Sequence, residues 1–164
     1  MPQRYEELLF AARKEMSVAD HLLYVTYPVV KESKFLLSIA SKIATSARLA
    51  LQALLEYEKM NNSIMDYPQS FVSQMSLYKR VIEPKYRLDS TFHRLMQRLF
   101  EIYQSNKSSV VKFKRGDSYI LASKDYTLSV LDYETVKKYA NVTKKFISSV
   151  DEISKVANVS DQPS

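Results

Sequence analysis

A single glycine, Gly116, occurs in the 164 residues of this chain. Tight turns and left-handed helix ends usually draw on glycine, because it has no Cβ to clash with the backbone. Phosphate-binding loops of the Rossmann and P-loop kinds need several glycines close together, so nucleotide binding by those routes is excluded. The scarcity of glycine therefore favours long helices joined by few tight turns.

Apolar residues recur every three or four positions along most of the chain, which is typical of helices with one buried face. They predict four helices at about 3–26, 33–60, 69–81 and 89–105, and a last helix at about 133–156. Pro28 is predicted to end the first helix, and Ser33 to cap the second. The second helix is rich in alanine and is predicted to be the most buried, because small side chains let neighbouring helices approach closely.

The pattern changes to a β type after Lys107. Apolar and basic residues alternate at 110–114, Gly116-Asp117 offers a turn, and 118–122 is rich in β-forming residues, which together predict a hairpin. Residues 126–131 can add a third strand. The predicted fold is mainly α, an up-and-down helical bundle of four to five helices with a small β-hairpin before the last helix. Residues 1–157 are predicted to form one domain, with the hairpin at about 109–123, and 158–164 are predicted to form a disordered tail.

The composition removes several functional classes. The chain has no cysteine, which excludes disulfides, thiolate nucleophiles and zinc–thiolate sites. Of its two histidines, His21 and His93, neither lies in a Glu-x-x-His pair, so no metal site and no cofactor are expected. The N-terminus does not read as a signal peptide, and the most apolar stretch, 35–55, contains charged residues. We therefore expect a cytoplasmic protein without a membrane partner.

A net charge of +6 suggests acidic partners such as RNA or DNA. Arg87, Arg94 and Arg98 follow a seven-and-four spacing that predicts one ridge on the fourth helix, provided that the helix extends back to Arg87. The hairpin adds three more basic residues near Tyr119, namely Lys112, Lys114 and Arg115. Both groups can contact phosphates, but a solvated helix face and the protection of an exposed strand edge explain them as well.

Two further features concern single side chains. Phe10, His21 and Tyr24 lie on the side of the first helix that faces away from its main apolar stripe, which indicates a partner surface. Packing of the hairpin or the last helix against them is an equally good explanation. Asp89 and His93 are four residues apart, so the carboxylate can orient the imidazole.

The run from Arg87 to His93, RLDSTFH, resembles the Arg-x(4–6)-His motif of HEPN-domain proteins. Residues 19–28, ADHLLYVTYP, together with the hairpin and the last helix, are similar to uncharacterised archaeal proteins of HEPN-like type. The resemblance implies a small helical bundle that dimerises. In active members the Arg and His cleave RNA without a metal, whereas others bind nucleotides or act as toxin–antitoxin partners. Leu88 departs from the motif, because active members usually carry a polar residue there.

The sequence thus supports two hypotheses. The first is a HEPN-like interaction module without catalysis, forming a homodimer or binding a protein partner, and associated with RNA or a nucleotide. The second is a metal-independent ribonuclease that uses Arg87 and His93. Six residues along a helix turn by about 240°, so these side chains converge only if Arg87 lies before the helix or across a dimer interface.

Overall fold

The computed structural model describes residues 3–107, 111–122 and 128–160 of the chain. Within these ranges, two π-helical segments, Leu22–Thr26 and Tyr78–Ile82, continue α1 into α2 and α4 into α5. The remaining elements are α1 (Arg4–His21), α2 (Tyr27–Val30), α3 (Ser33–Met60), α4 (Phe71–Leu77), α5 (Glu83–Tyr86), α6 (Ser90–Lys107), β1 (Val111–Arg115), β2 (Ser118–Ala122), β3 (Leu128–Leu131) and α7 (Tyr133–Ser160). The mainly α fold with a small β element before the last helix is confirmed.

Helix α3 is the centre of the bundle. It contacts α1, α6, α7 and the sheet, and it carries more buried residues than any other described helix, as predicted. The Ser46 hydroxyl donates a buried 2.7 Å hydrogen bond to the backbone carbonyl of Ala12 on α1. Such a contact requires the two helix backbones to lie close together, which their small residues permit.

The three strands form an antiparallel sheet in the order β1-β2-β3. Tyr119 and Leu121 of β2 and Leu131 of β3 are buried and join the helical core. The opposite face of the sheet exposes Phe113 and Val130, which flank Ile120 across the ladder. The third strand, which the sequence predicted as an addition to the hairpin, is confirmed at Leu128–Leu131. Residues 109, 110, 123, 126 and 127 of the predicted strands lie outside the described residues.

The proline expected to end the first helix does not end it. At Leu22–Thr26 the backbone takes a π turn, in which the Tyr27 N–H donates to the Leu22 carbonyl. Pro28 then falls in the first turn of α2, where a missing N–H is tolerated. The continuous helix formed by α1, the π turn and α2 ends three residues after Pro28, at Lys31, whose φ is 53°. The same arrangement recurs around Pro84.

Two smaller boundary predictions are also wrong. Glu32, and not Ser33, is the N-cap of α3, and Ser33 is buried in the first turn. Helix α7 extends to Ser160, so 158–160 are helical, whereas 161–164 lie outside the described residues. In the described part of the chain, no helix has the length and apolar character needed to cross a membrane.

Candidate functional site

The junction between α5 and α6 positions Arg87. Its backbone is in the left-handed region, with φ 53°, and its N–H reaches the Pro84 carbonyl at 3.4 Å. Helix α6 begins only at Ser90, so Arg87 precedes the helix that carries His93. Its side chain is exposed, and it forms no ion pair with any residue that the structure describes. The geometric condition for convergence with His93 is therefore met within one chain.

His93 is held by a carboxylate that the sequence did not indicate. Its Nδ1 lies 2.7 Å from Oε1 of Glu83, the first residue of α5, and both side chains are less than one-fifth exposed. A histidine held in this way keeps its other ring nitrogen for proton transfer. Glu83 is ten residues away in sequence, and the left-handed turn at Arg87 folds it back towards α6.

The expectation that Asp89 orients His93 is wrong. The Asp89 carboxylate accepts a 2.9 Å hydrogen bond from the backbone N–H of Thr91. That bond is the main reason that the pKa of Asp89 is lowered, with the Thr91 side chain adding to it. The first N–H groups of a helix have no partner within the helix, so a preceding carboxylate turns to them.

Tyr78 of the second π-helical segment is affected by the charge of the same glutamate, Glu83. It is fully buried, its hydroxyl has no hydrogen-bond partner among the described residues, and its ring packs edge-on against Phe146 of α7. Burial raises the pKa of Tyr78, and the nearby charges of Glu83 and Asp89 raise it further. Glu83 thus contacts His93 directly and acts on the buried Tyr78 only through its charge.

The predicted basic residues of α6 are placed differently from one another. Arg94 is exposed and donates to the Ser90 hydroxyl at 3.2 Å. Arg98 is half-buried and pairs with Glu101 of the same helix at 3.2 Å. Arg94 is therefore open to an anion, whereas the guanidinium of Arg98 is already held by protein groups.

The basic residues of β1 also differ in whether protein groups already bind them. The Lys112 ammonium donates to the backbone carbonyl and the side chain of Asn106, at 2.9 and 3.0 Å, and so satisfies the end of α6. Lys114 and Arg115 are exposed. Arg94 and Asn106 are separated by about 18 Å along α6. The six predicted basic residues therefore do not form one cluster.

The outward side of α1 and the following π turn exposes four large apolar side chains among polar ones. Phe10 is 68% exposed and Tyr24 is 42% exposed, while Val18 and Val25 extend the surface and His21 lies within it. We call these five residues the α1 outer face. Lys144 of α7 lies over the Tyr24 ring, 5.4 Å from its centroid. Neither the sheet nor α7 buries the face, and the two valines were not recognised from the sequence.

No group of three or more His, Asp or Glu side chains in the described ranges is arranged to hold a metal ion. The chain was also compared with protein-family models, curated protein sequences and solved structures, and none of them matches it.

Proposed function

We propose that this protein is a HEPN-like helical interaction module that forms a homodimer through the α1 outer face. The observation that carries the proposal is the exposure of Phe10 at one end of the outer side of α1 and of Tyr24 and Val25 at the other, with Val18 between them. Large apolar side chains exposed on one side of a well-packed helix are a feature of interaction surfaces.

A second copy of the chain fits this face well. A two-fold dimer uses the same patch on both subunits. If two α1 helices pack antiparallel, Phe10 of each copy lies near Tyr24 and Val25 of the other, so both ends of the contact are apolar. His21 and Lys14 then lie between these ends, where an interface can keep water.

Size-exclusion chromatography with light scattering tests the dimer. Phe10→Glu and Val25→Glu place a charge in the proposed contact, and we expect both variants to be monomers. Val72→Glu is the matched control, because Val72 of α4 is 67% exposed and lies outside the face. A monomeric wild type at the highest attainable concentration, or dimers that persist in both variants, contradicts the proposal.

We infer a second candidate function, metal-independent RNA cleavage at Arg87 and His93. It is favoured by the position of Arg87 before α6 and by the 2.7 Å contact of His93 with Glu83. His93 would take the proton of the ribose 2′-hydroxyl as its oxygen attacks the adjacent phosphorus, and Arg87 would stabilise the charge that develops on the phosphorane. The P–O5′ bond then breaks, which leaves a 2′,3′-cyclic phosphate and a 5′-oxygen that takes a proton from water. Arg94, at the start of α6, is a suitable phosphate contact for the same strand.

Incubation with mixed RNA in EDTA tests this activity. We expect Arg87→Ala and His93→Ala to lose cleavage and Glu83→Gln to reduce it. Lys31→Ala is the matched control, because Lys31 occupies an equivalent left-handed position after the other proline-containing helix. Absence of cleavage by the wild type, or equal cleavage by all variants, rules out this candidate.

A further inference from the structure

A cavity of about 230 Å³ lies between α3 and α6, beside the first turn of α4. Its walls are mainly apolar and include Ala44, Ala47, Phe71, Met96, Leu99 and Phe100. The cavity exists because α3 presents alanines towards α6, where larger side chains would fill the space. The stacked rings of Phe71 and Phe100, 4.3 Å apart, close one side of it.

Half-buried Arg48 of α3 also lines this cavity, and one nitrogen of its guanidinium lacks a hydrogen-bond partner among the described residues. Nε is buried and has no hydrogen-bond partner among the described residues, and Nη2 reaches the Gln69 carbonyl only at 3.5 Å. No acidic side chain of the described ranges lines the cavity. A buried N–H group without a partner is unfavourable, so a native structure usually pairs it with something.

Three polar side chains that line the cavity belong to α3. Arg48, Thr45 and Gln52 lie on neighbouring turns, and the Thr45 hydroxyl donates to the Ser41 carbonyl, which leaves its oxygen free to accept. A guanidinium presents its N–H groups in a planar fork that matches a carboxylate. Because the rest of the lining is apolar, the site suits a molecule with one anionic end and an apolar body.

We propose that this cavity is a binding site for a small monocarboxylate with an aromatic or branched aliphatic body, with Arg48 as the partner of the carboxylate. An apolar cavity of about 150 Å³ holds benzene, so this one has room for a ring with a short acidic side chain. The carboxylate can belong to a free acid or to the C-terminal residue of a peptide. The proposal is independent of the dimer and of RNA cleavage.

Phenylacetate is the probe, and isothermal titration together with amide chemical shifts is the measurement. We expect saturable binding, with shifts at Ala44, Ala47 and Phe100. Arg48→Met keeps the helix and the apolar stem of the side chain but should weaken binding at least tenfold. Arg94→Met is the matched control, since Arg94 faces away from the cavity, and its affinity should equal that of the wild type. Neutral phenylacetamide should bind at least tenfold more weakly than phenylacetate.

Two further arms complete the test. Ala44→Phe fills the cavity and should abolish binding while the circular dichroism spectrum stays that of the wild type. N-acetylphenylalanine mimics a peptide C-terminus, so tighter binding than phenylacetate indicates a peptide, and weaker binding a free acid. No saturable binding by either acid, or equal binding by wild type and Arg48→Met, overturns the proposal.

Discussion

Lys31 and Arg87 have the same backbone conformation, with φ 53°, directly after a short proline-containing helix. The residue in the left-handed conformation at a helix end is usually glycine, because any residue with a Cβ loses about 1–2 kcal/mol of stability there. This chain has one glycine, and it lies in the β1–β2 turn. Two strained ends are therefore built from long basic residues. At Arg87 the strain coincides with the candidate ribonuclease site, which makes a functional origin worth testing.

Replacing either residue with glycine separates strain from function. Lys31→Gly and Arg87→Gly should each raise the free energy of unfolding by up to about 1 kcal/mol, because relief of strain exceeds the extra entropy of the unfolded chain. Urea unfolding measures the change, with Lys31→Ala and Arg87→Ala as variants that keep the strain. A clear loss of stability in both glycine variants contradicts this account of the turns.

At the scale of elements, the α1–α3 contact is the most extensive one between two helices of the described residues. Ala12 and Ala19 of α1 are fully buried, as are Ala40 and Ala50 of α3. The bond from the Ser46 hydroxyl to the Ala12 carbonyl crosses this contact. Small residues are needed here for geometric reasons, since a larger side chain would push the two backbones apart.

Ala12→Leu therefore tests the packing of these two helices. The added carbons have no space, and we expect the free energy of unfolding to fall by about 1–3 kcal/mol. Ala11→Leu is the control, because Ala11 is only half-buried on the same helix turn, and it should change stability by less than about 0.5 kcal/mol. Thermal and urea unfolding of both variants decide the matter, and equal effects would mean that the contact is not tightly packed.

At the scale of the whole molecule, tyrosine hydroxyls connect separate parts of the bundle. The Tyr67 hydroxyl donates to Glu56 at 2.6 Å, and that of Tyr86 donates to the fully buried Glu58, which also pairs with Lys85 at 2.8 Å. Burial, followed by the bond to the carboxylate, raises the pKa of both tyrosines. With Tyr78, three phenols on different segments are thus held in the neutral form.

This arrangement predicts a loss of stability in alkaline solution. A raised pKa in the folded protein gives stability that is complete below the unfolded value near 10 and is lost as pH rises further. For the buried Tyr78, the loss approaches about 1.4 kcal/mol for each pH unit above 10. Urea unfolding between pH 9 and pH 11 should therefore give a shallower decline for Tyr78→Phe than for the wild type. Tyr24→Phe, at an exposed position, should follow the wild type, and parallel curves for all three proteins refute the prediction.

Local pattern alone determined the helices, their buried faces and the β element. The reason is that the periodicity of apolar residues follows directly from which face of a helix or strand meets the core. The apolar residues that recur every three or four positions in α1 and α3 are buried in the structure, because nothing in the tertiary structure competes with that requirement. The exposure of Phe10 and Tyr24 was one of two open alternatives, and the packing of the other elements decided it.

Only the tertiary structure determined that the helices continue through Pro28 and Pro84 and which side chain contacts His93. A π turn adds one residue to a helical turn, and no side-chain pattern in a single stretch of sequence announces it. Its consequence is that Pro28 and Pro84 continue helices that proline normally ends. The Glu83–His93 contact depends on the left-handed turn at Arg87, and the unpartnered Nε of Arg48 depends on the space left between α3 and α6. Such features arise from distances between elements, which periodicity does not encode.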